Sequence, residues 1–423
     1  MTIIPSNDTL SALATEYGTP LWIYDAAAIR RRIEQLSAFD VVRFAQKACS
    51  NIHILREMRK AGVCIDAVSL GEIERAMRAG FVAGDESGAA ELVFTADVFD
   101  RPTLERIVAD RIEVNIGSID MLQQLGERSP GHRVWLRINP GFGHGHSNKT
   151  NTGGENSKHG IWFEQLQDAV ALTQKYSLTL VGLHMHIGSG VDYSHLQRVC
   201  GAMVGFCRDL GVDIEAISAG GGLSVPYREG EEEIDPSHYF SLWDAARREV
   251  EAHFGHPIRL EIEPGRFLTA DSGVLVAEVR AVKTMGRNRF VLVDAGFSDL
   301  ARPAMYGSYH HISVIPGKTP RSAAAAIFPT VVAGPLCESG DVFTQAESGI
   351  VQQRDLPETH VGDYLVFHGA GAYGATMSSN YNSRLYAPEV LIESETHRLI
   401  RRRQTFDELL ALEDVGAAAS VPR

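Results

Sequence analysis

With 423 residues, 44% of them hydrophobic and 22% charged, the chain can bury a large core and has the length for two or three domains. Its net charge of −13 argues against nucleic acid or an anionic membrane as the main partner. No apolar run approaches the roughly 20 residues of a membrane span. The first ten residues lack the basic-then-apolar pattern of a signal peptide. Cys49, Cys64, Cys200, Cys207 and Cys337 are odd in number and scattered, with neither a disulfide framework nor a CxxC zinc pattern, so a reducing cytoplasm is expected.

Residues 20–24 (Pro-Leu-Trp-Ile-Tyr) read as a strand ahead of the main pattern. Strand-like and helical runs then alternate from residue 41 to 264. Strands are predicted at 41–45, 64–68, 92–96, 112–116, 134–139, 178–186, 213–218 and 259–263. The stretches 52–61, 70–79, 104–109 and 196–210 carry apolar residues at three- and four-residue spacing, which predicts helices between them. Eight such units in about 230 residues match an α/β fold of the (β/α)8, TIM-like barrel type. A doubly wound open sheet is the alternative, but it normally has fewer strands in this length. A long loop rich in Gly, His, Asn and Ser follows the fifth strand at 141–160, and loops of that length are usually functional or mobile.

After Glu263 the pattern changes. Short strand-like runs at 274–282, 289–293, 330–333, 363–368 and 389–392 are punctuated by Gly, Pro and Asn, as in a β domain. Arg401-Arg402-Arg403 reads as a solvated strand end, and 405–408 as a capping box opening a last helix. The expected organisation is an N-terminal segment 1–28 that completes the β domain, a barrel over 29–270, and a β-sandwich or β-barrel over 271–423.

Polar and glycine-rich residues collect at the predicted strand ends, the rim where a barrel of this type carries its chemistry. The first strand leads into Lys47, whose amine, shielded from water, could form a Schiff base with an aldehyde. Asp66, Ser69 and Glu72 follow the second strand and Arg137 lies on the fifth. The sixth ends in His184-Met-His186, the seventh in Gly220-Gly221-Gly222, and the eighth in Glu263-Pro-Gly265-Arg266. A glycine run alone is most often a tight turn. Beside a second Gly-Arg at the next strand end it gains weight as a phosphate cradle, because its backbone N–H groups can be approached closely. His184 and His186 lack a third ligand, so no metal is expected; a ring stacked on a planar cofactor is the better use of one of them. An amine, a phosphate cradle, an imidazole and a carboxylate are the parts that pyridoxal phosphate needs, with Glu263 keeping the pyridine nitrogen protonated.

The ordered motifs Phe-Ala-Gln-Lys47-Ala, Asp66-Ala-Val-Ser-Leu-Gly-Glu72, Ser157-Lys-His-Gly160, Gly182-Leu-His-Met-His-Ile-Gly-Ser189, Gly-Gly-Gly222-Leu, Glu263-Pro-Gly-Arg266, Arg302-Pro-Ala-Met-Tyr306, Gly334-Pro-Leu-Cys-Glu-Ser339 and Gly371-Ala-Tyr373 span nearly the whole chain. On these the sequence resembles the barrel-type pyridoxal-phosphate decarboxylases. The resemblance implies that Lys47 carries the cofactor, His186 stacks on its ring and Ser189 helps to fix it. It further implies that Gly220, Gly221, Gly222, the Gly265-Arg266 backbone and Tyr373 hold the phosphate, while Glu263 faces the ring nitrogen. The family is an obligate homodimer with shared sites, so Cys337 and Glu338 would serve the partner's barrel, with Cys337 as the proton donor. Two departures stand out: Phe44 where many relatives have Tyr, and His159 for a common Phe beside the long loop. Arg266 and Arg302 supply guanidinium groups suited to a carboxylate. With Tyr306, Tyr373 and Glu338 they favour meso-diaminopimelate, which keeps a carboxylate and an ammonium at its far end, over ornithine or arginine. The expected products are L-lysine and CO2. A racemase of the same fold would need a second base, typically a tyrosine, in place of the Cys337-Glu338 pair.

Overall fold

The computed structural model describes residues 5–84, 90–143, 153–186, 192–317 and 326–414. It divides into two compact units, one of Arg30–Pro226 with Glu232–Leu268, the other of Met1–Ile29, Tyr227–Glu231 and Thr269–Arg423.

In the first unit eight parallel strands close on themselves: Val41–Ala45, Cys64–Ala67, Leu92–Ala96, Glu113–Ile116, Arg133–Asn139, Thr179–His184, Ala216–Ser218 and Arg259–Ile262. The eighth returns to the first with Glu261 opposite Val41, which completes the expected barrel. A two-residue strand, Ile161–Trp162, adds to the fifth from outside the ring. Strand alternation sets Phe44, Ile65, Phe94, Val114, Leu136 and Leu183 on one face, all buried, where the helices cover them. The other face is unusually polar for a barrel interior. Arg43 Nη2 meets Glu261 Oε2 at 2.8 Å, its Nη1 donates to Ala90 O at 2.7 Å, and Trp135 Nε1 donates to Glu113 Oε1 at 2.6 Å. Arg43 and Glu261 are each 1% exposed, so this pair is tolerable only because both partners are satisfied.

Side chains just past the strand ends start the following helices. Ser69 Oγ accepts from Glu72 N at 3.2 Å while Glu72 Oε2 accepts from Val68 N at 2.9 Å, which closes the helix Leu70–Ala79 at its N-terminus. Asn51, Asp100 and Ser118 cap the helices Ile52–Lys60, Arg101–Asp110 and Ile119–Gly126 in the same way. The sixth and seventh strands are shorter than predicted, so His186 lies beyond its strand rather than within it.

The second unit is a mixed nine-stranded sheet. Leu21–Asp25 lies inside it, antiparallel to Gly273–Met285 and parallel to Glu389–Glu393. Helix Asn7–Tyr17, which the sequence reading missed, packs Leu10, Leu13 and Ala14 against Leu21, Ile23, Val274 and Val390. Strands Ile312–Ile315, Arg354–Pro357 and Thr396–Arg401 were also missed. The last two are mostly polar or contain a proline, the composition of edge strands rather than core strands. The basic run is only partly solvated. Arg401 meets Glu389 at 2.9 Å, Arg403 Nη2 donates to Thr19 O and Pro20 O, and Arg402 alone of the three is exposed. Thr405 and Glu408 form the expected capping box of helix Phe406–Leu410.

Candidate active site

Lys47 leaves the first strand in the short turn Gln46–Ala48, which Gln46 Nε2 anchors by donating to Glu72 O at 3.1 Å. In the single chain its side chain is exposed, where shielding was expected, because it stands on the barrel rim. Its charge still reaches the carboxyls of Asp66 and Glu72 and the imidazole of His186.

Strands six, seven and eight end against one another. Glu263 N donates to Gly220 O at 2.7 Å, and Gly221 N donates to His186 Nδ1 at 2.9 Å. A Cβ at Gly220 would lie 2.3 Å from Met185 O, and one at Gly221 would lie 2.3 Å from Glu263 O. Close packing of three strand ends therefore demands glycine here, independently of any phosphate. Accepting from Gly221 leaves the proton of a neutral His186 on Nε2. Burial first, then the charges of Arg137, Lys47 and His184, hold that imidazole well below its usual range, so it is uncharged at neutral pH.

Glu263 Oε2 meets His184 Nε2 at 2.8 Å, and its Oε1 accepts from Ser218 Oγ at 3.4 Å. Burial alone would raise the Glu263 carboxyl; the charge and hydrogen bond of His184, with Arg43 behind it, reverse that and hold it low. Asp66 behaves oppositely. Burial and then the Glu263 charge push it up, against the pull of Lys47. One carboxylate thus stays ionised and the other protonated at neutral pH, a division typical of catalytic sites. Arg137 is buried with them, and its Nε has no hydrogen-bond partner among the described residues. At the edge of this group Asp97 takes His159 Nδ1 at 2.7 Å and Gly160 N at 2.8 Å, which gives the departure at His159 a partner. Gly265 and Arg266 follow the eighth strand and open the short helix Arg266–Thr269. Ser189, named from the sequence, and residues 144–152 of the long loop lie outside the described residues.

The remaining candidates belong to the second unit. Arg302 is 5% exposed; its Nη1 donates to His310 Nε2 at 3.1 Å and its Cζ lies 4.9 Å from the Tyr227 ring centroid. Tyr306 ends the same short helix, Arg302–Tyr306, half-buried. Cys337 and Glu338 are exposed, on a turn in which Cys337 N donates to Asn382 Oδ1 at 2.9 Å. Tyr373 is half-buried with φ 55°, in the left-handed region that non-glycine residues rarely occupy. Sequence reasoning did not find Ser218, Asp97, Tyr227, His310 or Asn382. Ser218, two residues ahead of the glycine stretch, had a positional signal; the others act through contacts remote in sequence.

The rim fits pyridoxal phosphate by its chemistry: an amine at Lys47, a carboxylate at Glu263 kept ionised, as a pyridinium would need, a neutral imidazole at His186, and a buried arginine whose Nε has no partner among the described residues.

Residues 26–270 match the family model described as pyridoxal-dependent decarboxylase, pyridoxal binding domain. The chain is 64% identical over 406 residues to the diaminopimelate decarboxylase of Escherichia coli (strain K12), covering 96% of each. A crystal structure of diaminopimelate decarboxylase superposes with a TM-score of 0.93 at 63% identity, covering 96% of each chain. The Helicobacter pylori diaminopimelate decarboxylase complexed with L-lysine gives a TM-score of 0.82 at 30% identity, over 96% of this chain and 99% of that one.

Proposed function

From the premise that this chain belongs to the pyridoxal-dependent decarboxylase family, we infer its reaction and the residues that carry it. It decarboxylates meso-2,6-diaminopimelate to L-lysine and CO2, the last step of bacterial lysine biosynthesis, with pyridoxal phosphate as cofactor. The observation that carries this reading is the likeness to diaminopimelate decarboxylases along nearly the whole length of both chains.

When bound, pyridoxal phosphate supplies the electron sink for the pair left as the bond to the α-carboxylate breaks. Lys47 would hold it through the side-chain amine. Glu263 stays anionic, supported by the hydrogen bond from His184, and would favour a protonated ring nitrogen on the bound group. His186, a neutral imidazole, would stack on the ring. Gly220, Gly221, Gly222, the Gly265-Arg266 backbone and Tyr373 would hold the phosphate, and Ser189 would help to fix the ring. Arg266 and Arg302 take the distal carboxylate of the substrate, Glu338 its distal ammonium, and Tyr306 lines the same end. Cys337 delivers the proton to Cα, with Lys47 on the opposite face as the alternative donor. The active assembly is a homodimer in which Cys337 and Glu338 serve the partner's barrel. The exposure of the Cys337-Glu338 turn and of Lys47 in the single chain is compatible with a site finished by a second copy. A cytoplasmic location is supported by five free cysteines. Among the described residues no helix is long and apolar enough to cross a membrane.

The test is CO2 release by the purified protein with pyridoxal phosphate, offered meso-diaminopimelate, L-ornithine and L-arginine in parallel. Release from diaminopimelate alone, with lysine as product and with loss of release in Lys47→Ala, is the expected result. Release from ornithine or arginine would overturn the roles of Arg302 and Glu338. No release from any of the three would overturn the reaction.

A further inference from the structure

We infer that Tyr227 and His310 are positioning residues that set the pose of Arg302, and through it the affinity for the substrate's distal carboxylate. The inference rests on the reading of Arg302 as the carboxylate clamp and extends it to two residues without an assigned role.

A bidentate contact with a carboxylate needs a guanidinium whose plane is fixed and whose rotation within that plane is fixed. Tyr227 supplies the first restraint. Its ring faces the guanidinium with 4.9 Å from centroid to Cζ, and because Arg302 is buried, that contact acts with little water between the groups. His310 supplies the second. A guanidinium has only donors, so at the 3.1 Å contact between Arg302 Nη1 and His310 Nε2 the imidazole must accept. Its proton is then on Nδ1, which donates to His368 O at 2.9 Å. The result is a directed chain from a strand-end carbonyl through a neutral imidazole to one edge of the guanidinium.

Both restraining groups are themselves held. Segment Tyr227–Glu231 closes on itself, with Glu231 Oε2 accepting from Tyr227 N at 2.7 Å and from Arg228 N at 3.1 Å. Arg228 and Arg354 lie against the Tyr309 ring, at 4.4 and 3.9 Å, and Arg354 also donates to His310 O. The Tyr227 ring stands edge-on to His310, with centroids 5.6 Å apart and planes at 78°. Gly369 beside that ring has φ +61°, a backbone conformation that favours glycine. This segment lies between the seventh barrel strand and helix Pro236–Phe254 in the chain, yet it packs within the β unit, where it contributes one wall around Arg302.

The experiment measures kcat and KM of the holoenzyme with meso-diaminopimelate for Tyr227→Leu, Tyr227→Phe, His310→Leu, His310→Gln and Arg302→Lys, with thermal melts for each. Tyr227→Leu and His310→Leu are expected to raise KM about tenfold with kcat within about twofold, the loss of one desolvated restraint each. Tyr227→Phe keeps the ring and His310→Gln keeps an acceptor, so both are expected within about threefold of the parent KM. In the Arg302→Lys background Tyr227→Leu is expected to add little. If Arg302→Lys leaves KM unchanged, the clamp reading itself fails. If Arg302→Lys raises KM while both leucine variants do not, or if Tyr227→Phe is as impaired as Tyr227→Leu, the clamp stands and this inference is overturned. Should Tyr227→Leu not fold, the two His310 variants decide alone: equal KM values for them overturn the inference.

Discussion

Replacing Glu263 by glutamine removes one charge and almost nothing else. The side chain keeps its volume, one oxygen to accept from His184 Nε2, now at 2.8 Å, and its place behind the glycine stretch. What is lost is a carboxylate that the charge and hydrogen bond of His184 hold ionised despite burial. A hydrogen bond to a charged group contributes about 1.5–3 kcal/mol net. At about 3 Å and an effective dielectric of about 20, the gross Coulomb attraction to a pyridinium is about 5 kcal/mol, which sets the upper limit. With about 1.4 kcal/mol per decade of rate, kcat should fall between about tenfold and about 4 × 10³-fold, with about a hundredfold as the central expectation. The assay is steady-state CO2 release, run with cofactor occupancy and a thermal melt to establish that the variant is folded and loaded. A loaded, folded Glu263→Gln with kcat within about threefold of the parent would refute the argument, because the electron sink would then not depend on this charge.

Cys337→Ala should leave the cofactor bound and lower lysine formation by about 10² if the thiol is the proton donor; unchanged rate and product would remove Cys337 from that role. Asp299 tests the electrostatics of the β unit. Burial raises its carboxyl to about 6, against the Gly296 N–H and the charge of Arg384. Its folded pKa lies above the unfolded value, so its contribution is fully present below about pH 4 and is lost as pH rises through about 6, a change of about 3 kcal/mol. Asp299→Asn does not titrate, so its melting temperature should gain on the parent's between pH 4 and pH 7. Parallel curves across that interval would contradict the assignment.

The barrel was legible because its signal is local and repeated. Val41–Ala45 and Leu92–Ala96 are apolar runs at strand length, and the helices between strands carry their apolar residues at helical spacing and begin at Ser or Asp caps. The β unit was read less fully. Arg354–Pro357 and Thr396–Arg401 are edge strands whose polar residues face solvent, so no alternation of the core type marks them. Helix Asn7–Tyr17 escaped notice because only Leu10, Leu13 and Ala14 of its face are buried, too few to set a period.

Residue types at strand ends were likewise settled by the sequence itself. An amine at 47, histidines at 184 and 186, glycines at 220 to 222 and a carboxylate at 263 follow directly from a chain that alternates strand and helix. Their protonation was not. Asp66 and Glu263 are both acids in the sequence, and only the tertiary structure, through burial of Asp66 near the Glu263 charge and the contact of His184 with Glu263, pushes one up and the other down. The same holds for Arg43 and Glu261, 218 residues apart, and for Tyr227, which leaves the barrel's stretch of chain to lie against Arg302. Periodicity is a property of neighbours along the chain, whereas desolvation and charge coupling depend on neighbours in space, and those exist only once the strands have closed.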